Sequence, residues 1–346
     1  MLMKTYKVII VDDSALFRSL LSEIIDSNKR LDVVACAEDP YEARDLIKKH
    51  KPDVITLDIE MPKMNGLQFL KNLMRLHPLP VVMISSLTQH GQQVTLQALE
   101  MGAVDYFPKP TNELLSELMT YRQLVIEKVL SAAQANFEAN IHDSPTSQLE
   151  KRTENSNYKL IAIGASTGGT EAIRHVLSQL PNNLPPIIIT QHINAAFSKA
   201  FADRLSTVTS FNSMEITESG IQLKPGHIYV APGTQHLEIE YKAGRLYSKL
   251  NDGDKVNRHK PSVDVMFNSI AQYRHLPVLA MLLTGMGADG AQGLLNLKNS
   301  NGFTLVQDQA SSTVWGMPKV AFELNAHNEI LPLNRFPKFI MEKCYG

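Results

Sequence analysis

Short apolar runs alternate with segments of helical periodicity in two separate stretches of this 346-residue chain. Over the first 110 residues, five runs read as strands, namely "KVIIVDD", "DVVACAED", "PDVITLD", "LPVVMISS" and "AVDYFPKP". The alternation resumes at Lys159, and the clearest strands there are "KLIAIGAS", "PPIIITQH", "GHIYVAPG", "LPVLAMLLTG" and "GFTLVQDQ". Such alternation predicts parallel sheets that are covered by helices on both faces.

The two stretches predict two α/β domains joined by a linker. Residues 1–125 form a flavodoxin-like (βα)5 domain, and residues 159–346 form a doubly wound, mostly parallel sheet. In the second domain "HLEIEYKAGRLYSKLND" alternates polar and apolar residues, which indicates a small antiparallel hairpin. Residues 126–158 are expected to be a helical and flexible linker, because "NFEANIHDSPTSQLEKRTENSNY" is polar and lacks an apolar period.

Charge and composition exclude several classes of function. The 34 Lys and Arg nearly cancel the 35 Asp and Glu, so nucleic acid is not an expected partner. The two cysteines, Cys36 and Cys344, are far apart, which fits a reducing compartment better than a disulfide framework. No run approaches the roughly 18 apolar residues of a membrane span, and the N-terminus does not read as a signal peptide. We therefore expect a cytoplasmic, soluble protein without direct membrane insertion.

Polar side chains follow four predicted strands of the first domain. Asp12 and Asp13 follow the first strand, Asp58 the third, Ser85 the fourth and Lys109 the fifth. Because the carboxyl ends of parallel strands share one edge of a sheet, these groups should converge. Crowded carboxylates suit Mg²⁺, and a carboxylate beside Mg²⁺ can attack a phosphoryl donor. The alternative, solvated acids in loops, is weaker for the ordered set than for any single Asp.

The motifs "VDDS", "LDIEMPKMNG", "ISSLT" and "FPKP", in this order, closely resemble the receiver domain of two-component response regulators. The resemblance implies that Asp58 is phosphorylated and that Mg²⁺ is required for the phosphorylation. It also implies a histidine kinase as phosphodonor. On the same basis, the metal is held by Asp12, Asp13, Asp58 and the Glu60 carbonyl, and the phosphoryl-sensing residues are Ser85, Tyr106 and Lys109.

The loop "GASTGG" in the second domain could hold a nucleotide or present a nucleophile. A P-loop would end in Gly-Lys-Ser/Thr, whereas Gly169 is followed by Thr170 and Glu171. A dinucleotide-binding loop would have its second glycine where Ser166 stands, and Glu171 would repel an anion at the helix N-terminus. The nucleotide interpretation is therefore the weaker one.

The nucleophile interpretation needs a base for Ser166 and an acid to orient that base. His192 follows the strand "PPIIITQH", and Asp289 lies in the loop of "LLTGMGADG". Backbone N–H groups of the following helix and of Met286 could stabilise an oxyanion. Each residue also has a structural alternative: Ser166 and Asp289 could cap helices, and His192 could be a packed histidine.

The motifs "IGASTGG", "QH", "YVAPG", "RHKPSVDVMF" and "LLTGMGADG", behind a receiver-like domain, resemble the chemotaxis receptor methylesterase family. The resemblance implies hydrolysis of γ-glutamyl methyl esters on chemoreceptors and deamidation of certain receptor glutamines, with no cofactor for ester hydrolysis. It also implies that the phosphodonor is a chemotaxis histidine kinase. It assigns Ser166 as nucleophile, His192 as base and Asp289 as orienting acid. Thr167 and Met286 fall at the expected oxyanion hole. The segment "RHKPSVDVMF" is expected either to line the substrate cleft or to have a structural role.

Two other functions stay open at this point. In one, the second domain only binds a partner after the receiver is phosphorylated. In the other, the chain is a transcription factor, which is weak because a helix-turn-helix output would be shorter, basic and helical.

Overall fold

The computed structural model describes residues 4–110, 118–136, 149–151 and 156–346. Contacts between Cα atoms divide the chain into two compact units, Met1–Phe137 and Glu138–Gly346. Within the described ranges, no helix combines the length and apolar character that crossing a membrane requires. The domain limits given above stay a prediction, since much of the linker lies outside the described residues.

The first unit contains a five-stranded sheet in the order β2-β1-β3-β4-β5, in which every pair of neighbours is parallel. The strands are β1 (Tyr6–Val11), β2 (Leu31–Ala37), β3 (Val54–Asp58), β4 (Val81–Ser85) and β5 (Asp105–Pro108). The helices are α1 (Ala15–Asp26), α2 (Pro40–His50), α3 (Gly66–Leu76), α4 (Gln89–Glu100) and α5 (Leu118–Ala133). The predicted α/β architecture of this half is therefore confirmed.

Side-chain caps explain where the first four helices begin. Ser14, Asp39, Asn65 and Thr88 each accept a hydrogen bond from a backbone N–H of the first turn that follows. These are residue types that satisfy otherwise unpaired donors at helix N-termini. Because each helix begins at its capping residue, a short loop separates it from the strand before it. The loops that follow β1 and β3 therefore lie side by side at the carboxyl edge of the sheet.

The second unit contains a seven-stranded parallel sheet and a separate antiparallel pair, as the sequence predicts. The order in the large sheet is β14-β13-β12-β6-β7-β9-β8, and the pair is β10-β11. The strands are β6 (Leu160–Ala165), β7 (Ile187–Gln191), β8 (Asn212–Glu215), β9 (His227–Val230), β10 (His236–Lys242), β11 (Arg245–Asn251), β12 (Val278–Leu282), β13 (Phe303–Gln307) and β14 (Glu329–Leu331).

Helices cover this sheet and supply its core. They are α6 (Gly169–Leu177), α7 (Ala195–Val208), α8 (Val263–Ala271), α9 (Ala291–Asn299), α10 (Met317–Glu323) and α11 (Phe336–Tyr345). The central strands β6 and β12 are completely buried, and α8 and α9 pack their apolar faces against them. Such burial on both faces is why these strands read as continuous apolar runs in the sequence.

The strand order reverses between β6 and β12, because the chain leaves β6 towards β7 and later returns to β12 on the other side. In open α/β sheets the crevice at such a reversal is the usual ligand site. In the first unit the corresponding reversal lies between β1 and β3. Both crevices are where the sequence analysis places its candidate residues.

Candidate functional site

Ser166 follows β6 at the reversal point of the second sheet. Its N–H donates to the Thr284 carbonyl beyond β12 (3.0 Å), and its carbonyl accepts from Gln191 Nε2 (2.8 Å) and Gly169 N–H (2.7 Å). The residue that caps α6 is Gly168, without a side-chain hydrogen bond. The alternative in which Ser166 caps this helix is therefore wrong, and its hydroxyl makes no hydrogen bond to another described residue.

Two glycines allow the sharp turn around Ser166. Gly168 has a φ of +75°, and a Cβ there would lie 2.6 Å from Thr313 Cβ. A Cβ on Gly285 would lie 2.7 Å from Ser166 Cβ and 2.4 Å from Met317 Sδ. Only glycine avoids both the left-handed strain and these clashes. The small residues of "GASTGG" and "TGMG" thus bring the two loops into contact at Ser166.

His192 follows β7, the strand beside β6. Ala165 pairs with Gln191 in the sheet, and His192 N–H donates to the Ala165 carbonyl (3.0 Å). Ser166 and His192 therefore leave neighbouring strands at the same level. His192 Nε2 lies 2.8 Å from Asp289 Oδ2, and their side chains are only 5% and 1% exposed.

The other ring nitrogen of His192, Nδ1, is buried and has no hydrogen-bond partner among the described residues. The structure contains no hydrogen bond between Ser166 Oγ and His192, both of which are described. It thus brings two of the three predicted residues into contact and places the third at the adjacent strand end. The catalytic roles of all three stay a prediction.

The carboxylate of Asp289 is the most heavily hydrogen-bonded group of this site. It lies at the N-terminus of α8, where backbone N–H groups and a capping hydroxyl point at it. Besides His192, the donors are Ser262 Oγ (2.7 Å), Val263 N–H (2.7 Å), Asp264 N–H (3.3 Å) and Asn257 Nδ2 (2.8 Å).

These donors keep Asp289 ionised. Burial works to raise the pKa of its carboxyl, but the hydrogen bond and charge of His192, together with the bonds from Asn257 and Ser262, hold that pKa below its ordinary value. The helix that follows Asp289 is capped by Gly290, without a side-chain hydrogen bond. The alternative in which Asp289 caps that helix is therefore wrong.

The predicted oxyanion residues flank Ser166 from two loops. Thr167 is buried, and its carbonyl accepts from Thr284 Oγ1 (3.0 Å). Met286 is half-buried between two glycines, and its N–H donates to no other described residue. Thr167 directly follows Ser166, and Met286 follows Gly285, which packs against Ser166. The function of both residues as oxyanion donors stays a prediction.

Four residues that contact the predicted catalytic residues were not predicted from the sequence. Gln191 holds the Ser166 carbonyl, and Asn257 and Ser262 hold Asp289. The imidazole of His259 stacks on that of His192, with ring centroids 3.7 Å apart and 11° between planes. The segments "QH" and "RHKPSVDVMF" contain three of these four residues. The second segment had no assigned reaction, which was the available signal for His259 and Ser262, whereas Gln191 was marked only by its place beside His192.

Three carboxylates meet at the reversal point of the first sheet. Oxygen atoms of Asp12, Asp13 and Asp58 all lie within 4.8 Å of one another, close enough to share a metal ion. Lys109 Nζ lies 2.7 Å from Asp58 Oδ2 and 3.1 Å from Asp12 Oδ2. Asp12 Oδ2 is buried, and its contact with Lys109 is an ion pair that lacks the geometry of a hydrogen bond. Lys109 therefore offsets only part of the negative charge.

Asp58 receives few donors for a buried carboxylate. Burial raises the pKa of Asp58 to about 6, although the hydrogen bond and charge of Lys109 oppose that effect. Glu60 N–H donates only weakly to Asp58 Oδ1, at 3.3 Å, and the Glu60 side chain accepts from Ser86 Oγ. The assignment of the Glu60 carbonyl as a metal ligand stays a prediction.

The other predicted receiver residues lie at the ends of β4 and β5. Ser85 is completely buried, and its hydroxyl accepts from Thr95 Oγ1 and lies 3.3 Å from the Gly91 carbonyl of α4. Tyr106 is buried in β5. Of the predicted phosphoryl-sensing residues, the structure brings Lys109 to Asp58 and turns the Ser85 hydroxyl towards α4. Their roles in sensing a phosphoryl group stay predictions.

Comparisons with known proteins agree with both halves. Residues 161–340 match the CheB methylesterase family, and residues 8–120 match the response regulator receiver domain. A Vibrio vulnificus protein named protein-glutamate methylesterase/protein-glutamine glutaminase 2 is 55% identical, covering 99% of both chains. An Escherichia coli K12 protein named protein-glutamate methylesterase/protein-glutamine glutaminase is 46% identical, covering 99% of this chain and 97% of its own.

A solved structure gives the same result for the second unit. The CheB methylesterase catalytic domain of Thermotoga maritima is 33% identical, with a TM-score of 0.52 over 54% of this chain and 98% of that domain. A receiver match and a methylesterase match thus cover most of the chain, in the order the sequence predicts. The chain belongs to the CheB methylesterase family.

Proposed function

We propose that this protein hydrolyses γ-glutamyl methyl esters, and deamidates certain glutamines, on chemotaxis receptors. In the same proposal, a histidine kinase controls the activity by donating a phosphoryl group to Asp58. The names of the relatives and the receiver match support this assignment. The observation that carries it is a buried His192–Asp289 pair, joined at 2.8 Å, beside a serine at the reversal point of the sheet.

Ser166 is the nucleophile in this mechanism. Asp289 accepts the Nε2 hydrogen of His192, which leaves a lone pair on Nδ1 to take the proton from Ser166 Oγ. The hydroxyl and Nδ1 are not yet hydrogen-bonded, and catalytic hydrogen bonds often tighten only when substrate binds. The two residues leave adjacent strands at the same level, which is the placement this contact requires.

The reaction is an acyl transfer in two halves. Ser166 Oγ bonds to the ester carbonyl carbon, the bond to the methoxy oxygen breaks, and His192 returns its proton to the departing methanol. Water then adds to the acyl-enzyme with His192 again as base, which frees glutamate and restores the serine. For a glutamine substrate, the same steps release ammonia.

Negative charge develops on the carbonyl oxygen in both halves. The Met286 N–H, which donates to no other described residue, and the N–H groups near Thr167 at the start of α6 are suited to stabilise it. Such donors act without reorganisation, because the glycine-rich turns that carry them are fixed by packing against Thr313 and Met317.

The receiver half fits a divalent cation. The donor set is all oxygen, and one buried Asp12 oxygen has no hydrogen bond, as expected of a Mg²⁺ ligand. We assign Asp12, Asp13 and Asp58 as the groups that would hold Mg²⁺, with Asp58 as phosphoacceptor. When bound, Mg²⁺ neutralises the carboxylates and the incoming phosphoryl oxygens, and Lys109 is placed to hold one of those oxygens.

Release of methanol from a methylated receptor tests the proposal. Purified protein is incubated with receptor membranes, with and without a small phosphodonor and Mg²⁺. Release that increases with the phosphodonor is expected for wild type, whereas Asp58→Asn should give the same rate in both conditions. Methanol release at the background rate in every state would instead favour a second domain that only binds a partner.

A further inference from the structure

The segment "VNRHKPS", to which the reaction assigns no chemistry, approaches the catalytic acid through two side chains, those of Asn257 and Ser262. Val256 and His259 form an antiparallel bridge with reciprocal hydrogen bonds (3.1 and 2.9 Å). The two residues between them, Asn257 and Arg258, have φ values of +51° and +72°. Positive φ at both central residues is characteristic of a type I′ turn, in which asparagine is a favoured residue.

Asn257 is exposed on this turn, but its amide reaches two buried carboxylates. The Nδ2 atom lies 2.8 Å from Asp289 Oδ1 and 2.7 Å from Asp264 Oδ2. An amide has two hydrogens on this nitrogen, so both bonds can form at once. The second oxygen of Asp264 accepts from Gly293 N–H (2.6 Å), which fixes Asp264 to α9.

The Asn257 amide and the donors at the start of α8 together hold the Asp289 carboxylate in one orientation. Asp289 Oδ2 accepts from Val263 N–H and faces His192 Nε2, while Oδ1 accepts from Ser262 Oγ and Asn257. Without the amide, no side-chain donor would bond to both buried carboxylates, and the weak bond from Asp264 N–H to Asp289 Oδ1 (3.3 Å) would be the one left between the two residues. Like charges in such a position disfavour joint ionisation, and the burial that raises the pKa of Asp264 acts in the same direction.

We propose that Asn257 is a positioning residue, which holds the Asp289 carboxylate against His192 Nε2 with Asp264 as its second anchor. The inference rests on the proposed hydrolase function and deepens it. The Asn257 amide bonds to the carboxylates of Asp264 and Asp289 and makes no hydrogen bond to Ser166 or His192, so we expect its effect to be on the rate of the chemical step. Substrate affinity should be unaffected.

The alternative is that Asn257 serves only the turn. Asn257→Gly separates the two roles, because glycine adopts positive φ without strain and keeps the turn while removing the amide. Asn257→Asp is a second variant that keeps the size and the tolerance of positive φ but replaces the donor by a third carboxylate. Asn301→Gly is the matched control, since Asn301 also has a positive φ (+70°) and lies on an exposed turn after α9.

The experiment measures kcat and KM for methanol release by full-length protein on methylated receptor. For Asn257→Gly we expect kcat to fall about 10–100-fold with KM unchanged, as for other groups that orient a catalytic residue. Asn257→Asp should lose at least as much, and Asn301→Gly should match wild type. Far-ultraviolet circular dichroism establishes whether each variant is folded. If Asn257→Gly does not fold, the kcat and KM of Asn257→Asp test the positioning role instead.

A double variant tests the anchoring by Asp264. If Asp264 acts through Asn257, adding Asp264→Asn to Asn257→Gly should change kcat by less than about two-fold, although Asp264→Asn alone lowers it. Independent, multiplicative losses would overturn that part of the inference. A kcat for Asn257→Gly within about two-fold of wild type, or a change confined to KM, would overturn the positioning role itself. Absence of methanol release by wild type would remove the proposed function and this inference with it.

Discussion

The reversal points of the two sheets differ in how many donors surround a buried aspartate. Asp58, at the end of β3, receives one strong bond from Lys109 and a weak one from a backbone N–H. Asp289, in the loop after β12, receives bonds from two side chains, a helix N-terminus and an imidazole. Burial works to raise the pKa of both carboxyls, and only at Asp289 do the donors outweigh it, so the pKa of Asp58 is raised and that of Asp289 is lowered. The same position in two sheets thus gives a carboxylate opposite properties.

The difference fits the tasks that the proposed function gives to the two carboxylates. A phosphoacceptor needs free oxygen lone pairs and space for a cation, so donors that stabilised its charge would also block its chemistry. An orienting acid needs a fixed position and a permanent charge, which a ring of donors supplies. The donor count around a strand-end aspartate therefore indicates which of the two tasks it performs.

The largest expected effect concerns the nucleophile of the second unit. Ser166→Ala should lower kcat for methanol release by about 10⁶-fold, the scale seen when a serine hydrolase loses its nucleophile. Phosphorylation of Asp58 in this variant should be unchanged, because the two reactions use different crevices. Radiolabelled phosphodonor and methanol assays on the same sample measure both. Retained ester hydrolysis would remove Ser166 from the mechanism.

The next largest effect concerns the acid. Asp289→Asn keeps the shape of the side chain but no longer favours the His192 tautomer with hydrogen on Nε2, so kcat should fall about 10⁴-fold. The matched substitution Asp58→Asn should leave the unphosphorylated rate unchanged. Comparable losses from both substitutions would contradict the separation of the two tasks.

Strand-end residues could be predicted from the sequence because each depends on local patterns. Asp58 ends an apolar run that alternation marks as a strand, and Ser166 ends another that breaks into small residues. Two strands were missed, β8 ("NSME") and β14 ("EIL"), as were helices α10 and α11. Both strands lie at sheet edges and are too short and polar to show a period.

The surroundings of Asp289 could not be predicted, because they depend on packing between distant segments. Asn257 and Ser262 lie about thirty positions before Asp289 in the chain and meet it only because α8 packs against α9. The orientation of the Ser85 hydroxyl towards Thr95 is likewise a tertiary feature. Periodicity and motif spacing carry no information about which donors satisfy a given buried oxygen.

The same pair of substitutions should have opposite effects on stability. At pH 7 Asp289→Asn replaces the carboxylate by a neutral amide, so the buried donors around it lose their charged acceptor. This substitution should destabilise the protein by about 3 kcal/mol. A lowered pKa means that the contribution of Asp289 is present above its ordinary pKa of 3.8 and is lost as pH falls below that value. Asp58→Asn should instead stabilise, by about 1–3 kcal/mol, because it removes a buried charge that few donors stabilise.

The pH dependence distinguishes the two cases. Because the pKa of Asp58 is raised from 3.8 to about 6, its stabilising contribution is present below 3.8 and is lost as pH rises through 6. The advantage of Asp58→Asn should therefore be complete above pH 6 and vanish by pH 3.8. Urea unfolding followed by circular dichroism, at pH 7, 5 and 4, measures both variants against wild type. If both substitutions changed the free energy of unfolding in the same direction at pH 7, the contrast between Asp58 and Asp289 would be wrong.

The smallest expected effect is that of Mg²⁺ on the receiver crevice. At ten times its dissociation constant, Mg²⁺ should stabilise wild type by about 1.4 kcal/mol, because only the folded state brings the three carboxylates together. Asp13→Asn, which removes the exposed carboxylate of the cluster, should weaken that stabilisation without changing ester hydrolysis in the unphosphorylated protein. Mg²⁺ titration by calorimetry, with methanol release as the second readout, measures both. Equal Mg²⁺ binding by wild type and Asp13→Asn would mean that the cation is not held by this cluster. The few donors at Asp58 would then need a different physical explanation.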